Sequence, residues 1–218
     1  MPRVIEALRS FDRKERFAVL RETLGFDLEA PHLDYGFRAK LNNCIDKKKE
    51  IQCPQQAFLA MDYHLDWIEM ALDRAARRET GPKSPFLNKN FSEINKNQQD
   101  VDLLIAFEAD VTGNTTTHLV LIEAKAYLYW NNAQLIEKAN RLRVIFGEDG
   151  ERWKFVRPHY VLMTAKRSQG IRPHAWPKWM RDGDEVNWLD YDLPSRLKIS
   201  RCTENGKLSK AGGFLAIK

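Results

Sequence analysis

Residues 119–125, Leu-Val-Leu-Ile-Glu-Ala-Lys, form an apolar run that ends abruptly in an acid and a base separated by one residue. Four consecutive apolar residues following Thr115, Thr116 and Thr117 read as a strand covered on both faces. Side chains along a strand repeat every second residue, so Glu123 and Lys125 project to the same side. A carboxylate and an ammonium side by side at a strand end suit a divalent cation and the water it activates.

A second acid belongs with this pair. Val101-Asp102-Leu103-Leu104-Ile105-Ala106-Phe107 is another strand-like run, and the link Asp110-Val-Thr-Gly-Asn-Thr115 is rich in turn formers. The two runs therefore read as an antiparallel hairpin. Asp102 enters one strand and Glu123 leaves the other, which brings both carboxylates to one edge of the sheet. Two carboxylates with phosphate oxygens and water make the hard, oxygen-rich site that magnesium prefers. Asp100 points to the same side as Asp102 and competes for the role; Asp102 is favoured because it abuts the apolar run.

An Asp opening one strand and Glu-Ala-Lys closing the next resemble the PD-(D/E)XK nuclease superfamily, the fold of many restriction endonucleases and junction resolvases. In that family a helix follows the Lys, and Tyr129 to Phe146 reads as one, with Leu135, Ala139, Leu142 and Phe146 on one face, Glu137, Lys138, Arg141 and Arg143 largely elsewhere, and Gly147 as a stop. The strand Pro158-His-Tyr-Val-Leu-Met-Thr164 then completes the family's order of helix, hairpin strands, helix, strand. The resemblance covers roughly residues 55 to 165, the usual size of one domain. No Pro precedes Asp102, where the text is Gln99-Asp100-Val101-Asp102.

An acid-x-Lys triplet alone is expected roughly once by chance at this composition. Asp12-Arg-Lys14 and Asp46-Lys-Lys48 also fit, but both lie in charged, helix-like stretches with no apolar strand leading in. Only Glu123-Ala-Lys125 has the strand, the upstream hairpin partner and the downstream helix.

The resemblance implies hydrolysis of a phosphodiester bond. Asp102 and Glu123 would hold one or two magnesium ions, or manganese in their place, with the Ala124 carbonyl as a further ligand, and Lys125 would stabilise or orient the attacking hydroxide. Many members carry another acid on the helix before the hairpin. The segment Pro54 to Arg78 reads as that helix, with Phe58, Leu65, Ile68 and Leu72 as its apolar face. Glu69, beside that face, is the choice for the extra acid; Asp62, Asp66 and Glu93 are alternatives. Gln134 lies near where some members place a site glutamine, although the recombination-nuclease form has a Tyr four residues later, where this chain has Lys138.

The 218 residues, 43% hydrophobic, can bury one substantial core with a small helical extension. The net charge of +5 is modest, but its distribution is informative. Between Arg152 and Arg181 basic residues alternate with Trp153, Phe155, Tyr160, Trp176 and Trp179. Cations contact phosphates, and exposed rings stack on bases. Trp153 and Tyr160 read as core. Residues 167–177, Arg-Ser-Gln-Gly-Ile-Arg-Pro-His-Ala-Trp-Pro, lack periodicity and read as a loop that reaches DNA through Lys166, Arg167 and Arg172.

At the front, Ser10 is expected to cap a helix running through Leu24, and a second helix lies within Phe37 to Lys49. Thr80-Gly-Pro-Lys-Ser-Pro85 breaks the chain before the hairpin. Near the end, Leu197 to Cys202 and Gly213 to Ile217 flank Asn205-Gly206, a strong hairpin signal, and Trp188 to Pro194 contains a short strand. Three cysteines, Cys44, Cys53 and Cys202, have no paired short spacing and support neither a disulfide framework nor a four-ligand zinc site. No apolar run approaches membrane-spanning length, and no leading segment reads as a secretion signal.

The expected fold is α/β: a restriction-endonuclease-like core with a mixed central sheet flanked by helices over residues 54–218, including the C-terminal hairpin, and an N-terminal helical extension, 1–53, packed on it. The expected activity is that of a cytoplasmic, magnesium-dependent endonuclease acting on DNA, the alternative being a nucleic-acid-binding protein that kept the fold without cleavage. Double-strand cutting by a one-site domain often uses a two-fold pair, which makes a homodimer a reasonable expectation.

Overall fold

The computed structural model describes residues 3–11, 19, 23, 32–46, 50–77, 99–111, 113–125, 130–192 and 199–217. The apolar runs pair into a five-stranded sheet. Its strands are β1 (Phe58–His64), β2 (Asp100–Val111), β3 (Asn114–Lys125), β4 (Val156–Thr164) and, after two short strands β5 (Arg181–Asp182) and β6 (Glu185–Val186), β7 (Trp188–Asp190). The order across the sheet is β1-β2-β3-β4-β7, with β1, β2 and β3 antiparallel and β3, β4 and β7 parallel. The sheet is thus mixed. Its middle strand β3 is buried without a break from Thr117 to Glu123, as its four-residue apolar run requires when helices cover both faces.

The helices are α1 (Val4–Arg9), α2 (Tyr35–Ile45), α3 (Leu65–Arg77) and α4 (Asn132–Phe146). Val4, Ala7 and Leu8 of α1, Ile68, Ala71 and Leu72 of α3, and Leu135, Ala139, Leu142 and Phe146 of α4 pack with Leu119, Leu121 and Tyr160 on one face of the sheet. Leu41 of α2 packs with Ile105, Phe107, Val120, Ile122 and Val161 on the other. The two N-terminal helices therefore lie on opposite faces, each contributing to a core layer. The Tyr63 hydroxyl donates to Leu8 O at 2.9 Å, which ties α1 to the edge strand β1.

The helix after the hairpin, α4, has defined ends. Asn131 caps α4, its Oδ1 accepting from Ala133 N at 2.9 Å, and Gly147, at φ +84°, takes the C-terminal position where a side chain is disfavoured. The apolar stripe read from the sequence is the buried one. The hairpin is tighter than the turn-rich link implied, since Val111 pairs directly with Asn114.

Two expectations need correction. Pro54 to Arg78 is not one helix: Phe58–His64 is a strand, and the helix begins at Leu65. Phe58 falls seven residues before Leu65, which mimics helical spacing, but Phe58, Ala60 and Tyr63 are buried in the core and Phe58 pairs with Ala106, so tertiary pairing overrides the local pattern. Ser10 closes α1 rather than opening a helix, its Oγ donating to Ala7 O at 2.7 Å. The helix expected through Leu24 lies mostly outside the described residues, although Thr23 Oγ1 donates to Val19 O at 2.7 Å, four residues back, as in a helical turn. The expected C-terminal hairpin is present as β8 (Ile199–Cys202) and β9 (Phe214–Ile217), a two-stranded sheet of its own, and the expected short strand near Trp188 extends the main sheet. Cys44, Cys53 and Cys202 are not joined in disulfides. Among the described residues no helix is long and apolar enough to cross a membrane.

Candidate active site

The hairpin ladder between β2 and β3 runs from Val111↔Asn114 to Leu103↔Ile122 and stops there. One position further, the side chain of Asp102 takes over: its Oδ2 accepts the backbone N–H of Ala124 at 2.7 Å. Asp102 and Glu123 are thereby neighbours at one edge of the sheet, as the hairpin reading required. Lys125 ends β3 opposite Thr164, the last residue of β4, so acids, lysine and the loop leaving β4 share that edge.

Glu123 is buried, and burial pushes its carboxyl up to about 7; the Lys138 ammonium opposes the rise, Asp102 adds to it, and Lys125 opposes it. For a carboxyl whose folded pKa is raised, stability is lost as pH rises through the interval from the ordinary carboxylate range to about 7. An ionised Glu123 therefore calls for a cation beside it. Lys138 of α4 supplies one: its Nζ contacts Glu123 Oε1 and donates to Asp100 O at 2.6 Å. Lys125 is half-buried, with its Nζ 6.0 Å from the centre of the Trp130 ring. Beneath the acids, the Tyr160 hydroxyl is fully buried without a hydrogen-bond partner among the described residues, and burial, then the charges of Glu123 and Asp102, hold it protonated.

The remaining candidates separate. Asp100 is engaged by His64 Nδ1 across the β1–β2 pair, and the His64 ring packs edge-on against Trp67 at 4.2 Å. Glu69 is buried on α3 and faces Arg152, beyond the end of α4, at 3.6 Å. Asp66 pairs with Arg141, one turn along α4 from Lys138. Asp62 is not on a helix. It sits in β1 between Met61↔Leu103 and Tyr63↔Val101, which puts it opposite Asp102, at a φ of +50° that Asp tolerates better than most residues. Glu93 lies outside the described residues. Gln134 is exposed on the first turn of α4, one turn before Lys138 on the same side.

Of the DNA-contact candidates, Lys166 and Arg172 are exposed on the loop after β4. Asn132 straps that loop to the start of α4, donating to Gly170 O at 2.8 Å and accepting from Arg172 N at 3.1 Å. Arg167 is also exposed, but its Nε donates to both Asp190 oxygens, at 2.9 and 3.1 Å. The aromatic residues interleaved with this basic stretch pack toward the core. Tyr160 and Trp176 are buried, Trp153 and Trp179 are half-buried with their indole N–H groups bound to Ile145 O and Gly147 O, and Phe155 packs on the core.

Sequence reasoning missed Lys138, which it placed with the polar face of its helix. The signal was available: Lys138 lies three residues after Leu135 and four before Leu142, on the flank of the buried stripe.

Among the described residues no group of three or more His, Cys, Asp or Glu side chains is gathered as a metal site. Two carboxylates do converge, and a cation already stands on one of them. Comparison of the chain with protein-family models, with curated proteins and with solved structures found no match.

Proposed function

We propose that this protein is a metal-dependent endonuclease that hydrolyses phosphodiester bonds in DNA, on a restriction-endonuclease-like core. The observation that carries the reading is the Asp102–Ala124 bond: it places the Asp102 carboxylate beside Glu123, with Lys125 on the same strand end. The observed order α3, β2, β3, α4, β4 agrees with the family's order of helix, hairpin, helix and strand.

The donor set fits magnesium in part. Asp102 and Glu123 offer hard anionic oxygens and the Ala124 carbonyl a neutral one, and phosphate and water complete such a site. When bound, the ion supplies Lewis acidity toward the phosphate and a more acidic water. The chain's own residues do the rest. Asp102 and Glu123 orient the donors, and the buried setting of Glu123 strengthens every charge interaction there. Lys125 offsets the negative charge that builds on the phosphorus centre, and Lys166 and Arg172 hold the strand by its phosphates from the loop on the same sheet edge.

One observation favours the second reading, a nucleic-acid-binding protein without cleavage: Glu123 is already neutralised by Lys138. Incubation with supercoiled, linear, single-stranded and branched DNA, in magnesium, manganese or chelator, tests both. Chelator-sensitive nicking supports the endonuclease; binding of the same DNA with no strand breakage supports the module.

A further inference from the structure

We infer that Lys138 is an internal counter-cation that holds the position a divalent ion takes on Glu123, so that metal enters only by displacing its ammonium. The inference rests on the metal-site reading above and adds a gate to it. Nζ of Lys138 reaches Glu123 Oε1 from α4 while bonding Asp100 O at 2.6 Å, and both side chains of the ion pair are largely buried, at 14% and 9% exposure. The Lys138 stem lies beside Leu135, Ala139 and Leu142, which are fixed in the core, so the head can move only by changing rotamers.

The consequence is electrostatic. An ammonium on Oε1 competes with a metal ion for that oxygen and repels an ion approaching the other, so a site built on Oε1 fills once the pair opens. If the closed pair is at least nine-tenths populated, apparent metal affinity is reduced by about tenfold or more relative to a site without the lysine. Asp100 O, which already accepts from the ammonium in the closed pair, gives it an anchor that does not involve Glu123.

Calorimetric titration of manganese into the purified full chain at pH 8 reads the effect directly. Lys138→Met and Lys138→Gln are each expected to bind manganese about tenfold more tightly than the wild type, with Lys138→Arg close to the wild type. Unchanged or weaker binding in both neutral variants, with the wild type binding manganese, overturns the gate and leaves the metal site standing. No manganese binding in any variant sinks both. Should the neutral variants not fold, the wild type alone decides: manganese is expected to raise the rate at which an amine-reactive reagent labels Lys138 at least threefold, with Lys166 unchanged, and an unaltered or slower Lys138 rate overturns the gate.

Discussion

Oδ2 of Asp102 accepts the N–H of Ala124 at 2.7 Å, one position beyond the last pair of the β2–β3 ladder, so a side chain replaces the missing strand bond and sets two acids side by side. Charge and hydrogen bond are separable here. Asp102→Asn keeps an acceptor and loses the charge; it is expected to fold with stability within about 1 kcal/mol of the wild type and to lose metal binding. Asp102→Ala also orphans the Ala124 N–H and is expected to cost a further 1–3 kcal/mol, roughly. Denaturant melts alongside manganese titrations check both; Asp102→Asn that binds manganese like the wild type contradicts the assignment.

Lys125 is placed to act on the phosphate rather than to hold the ion. Lys125→Met should retain metal affinity within about threefold and lower the plasmid cleavage rate by at least about 100-fold, the scale of losing one group that stabilises developing charge. An unchanged rate in magnesium refutes the role.

The upstream acid can be decided between α3 and β1. Glu69 faces Arg152, whereas register places Asp62 opposite Asp102. Asp62→Asn, which tolerates the positive φ as Asp does, is expected to weaken manganese binding by about tenfold. Glu69→Gln should leave it unchanged and lower stability by roughly 1–3 kcal/mol, less than a fully buried pair because Arg152 is part exposed. The reverse pattern returns the role to the helix.

On the opposite face of the sheet, His118 Nδ1 and His159 Nε2 lie 2.9 Å apart in a stack with Phe107. Burial lowers their pKa values to about 4 and about 3; Arg157 lowers both further and Asp46 opposes it. Unfolded, both rings take a proton near 6.5, so between there and pH 4 the unfolded state binds more protons and stability falls as pH falls. His118→Phe is expected to remove on the order of 2–3 kcal/mol of that loss. Chemical denaturation from pH 7 to pH 4 measures it, and a variant with the acid limb of the wild type contradicts the mechanism.

The hairpin, its acids and the helix after Lys125 were legible because each carries a strong local signal: an uninterrupted apolar run buried on both faces, a turn-rich link, and a four-residue apolar stripe. β1 was not, because its partner β2 lies beyond a long intervening segment and only pairing reveals Phe58–His64 as a strand. Lys138 was hidden for another reason. A charge on the flank of an apolar stripe looks like any solvated lysine until the neighbouring strand end is known to bring Glu123 beneath it. The tryptophans of the basic stretch show the same limit in reverse: composition offered rings for stacking, and packing had already used Trp176 for the core.

The most direct test of the account is nicking of supercoiled plasmid by the full chain in magnesium, with and without chelator, beside Asp102→Asn and Lys125→Met prepared identically. Open-circular product is expected from the wild type alone, and none once the metal is chelated. Nicking that persists in chelator or in both variants, or DNA left intact by a folded, manganese-binding wild type, contradicts it.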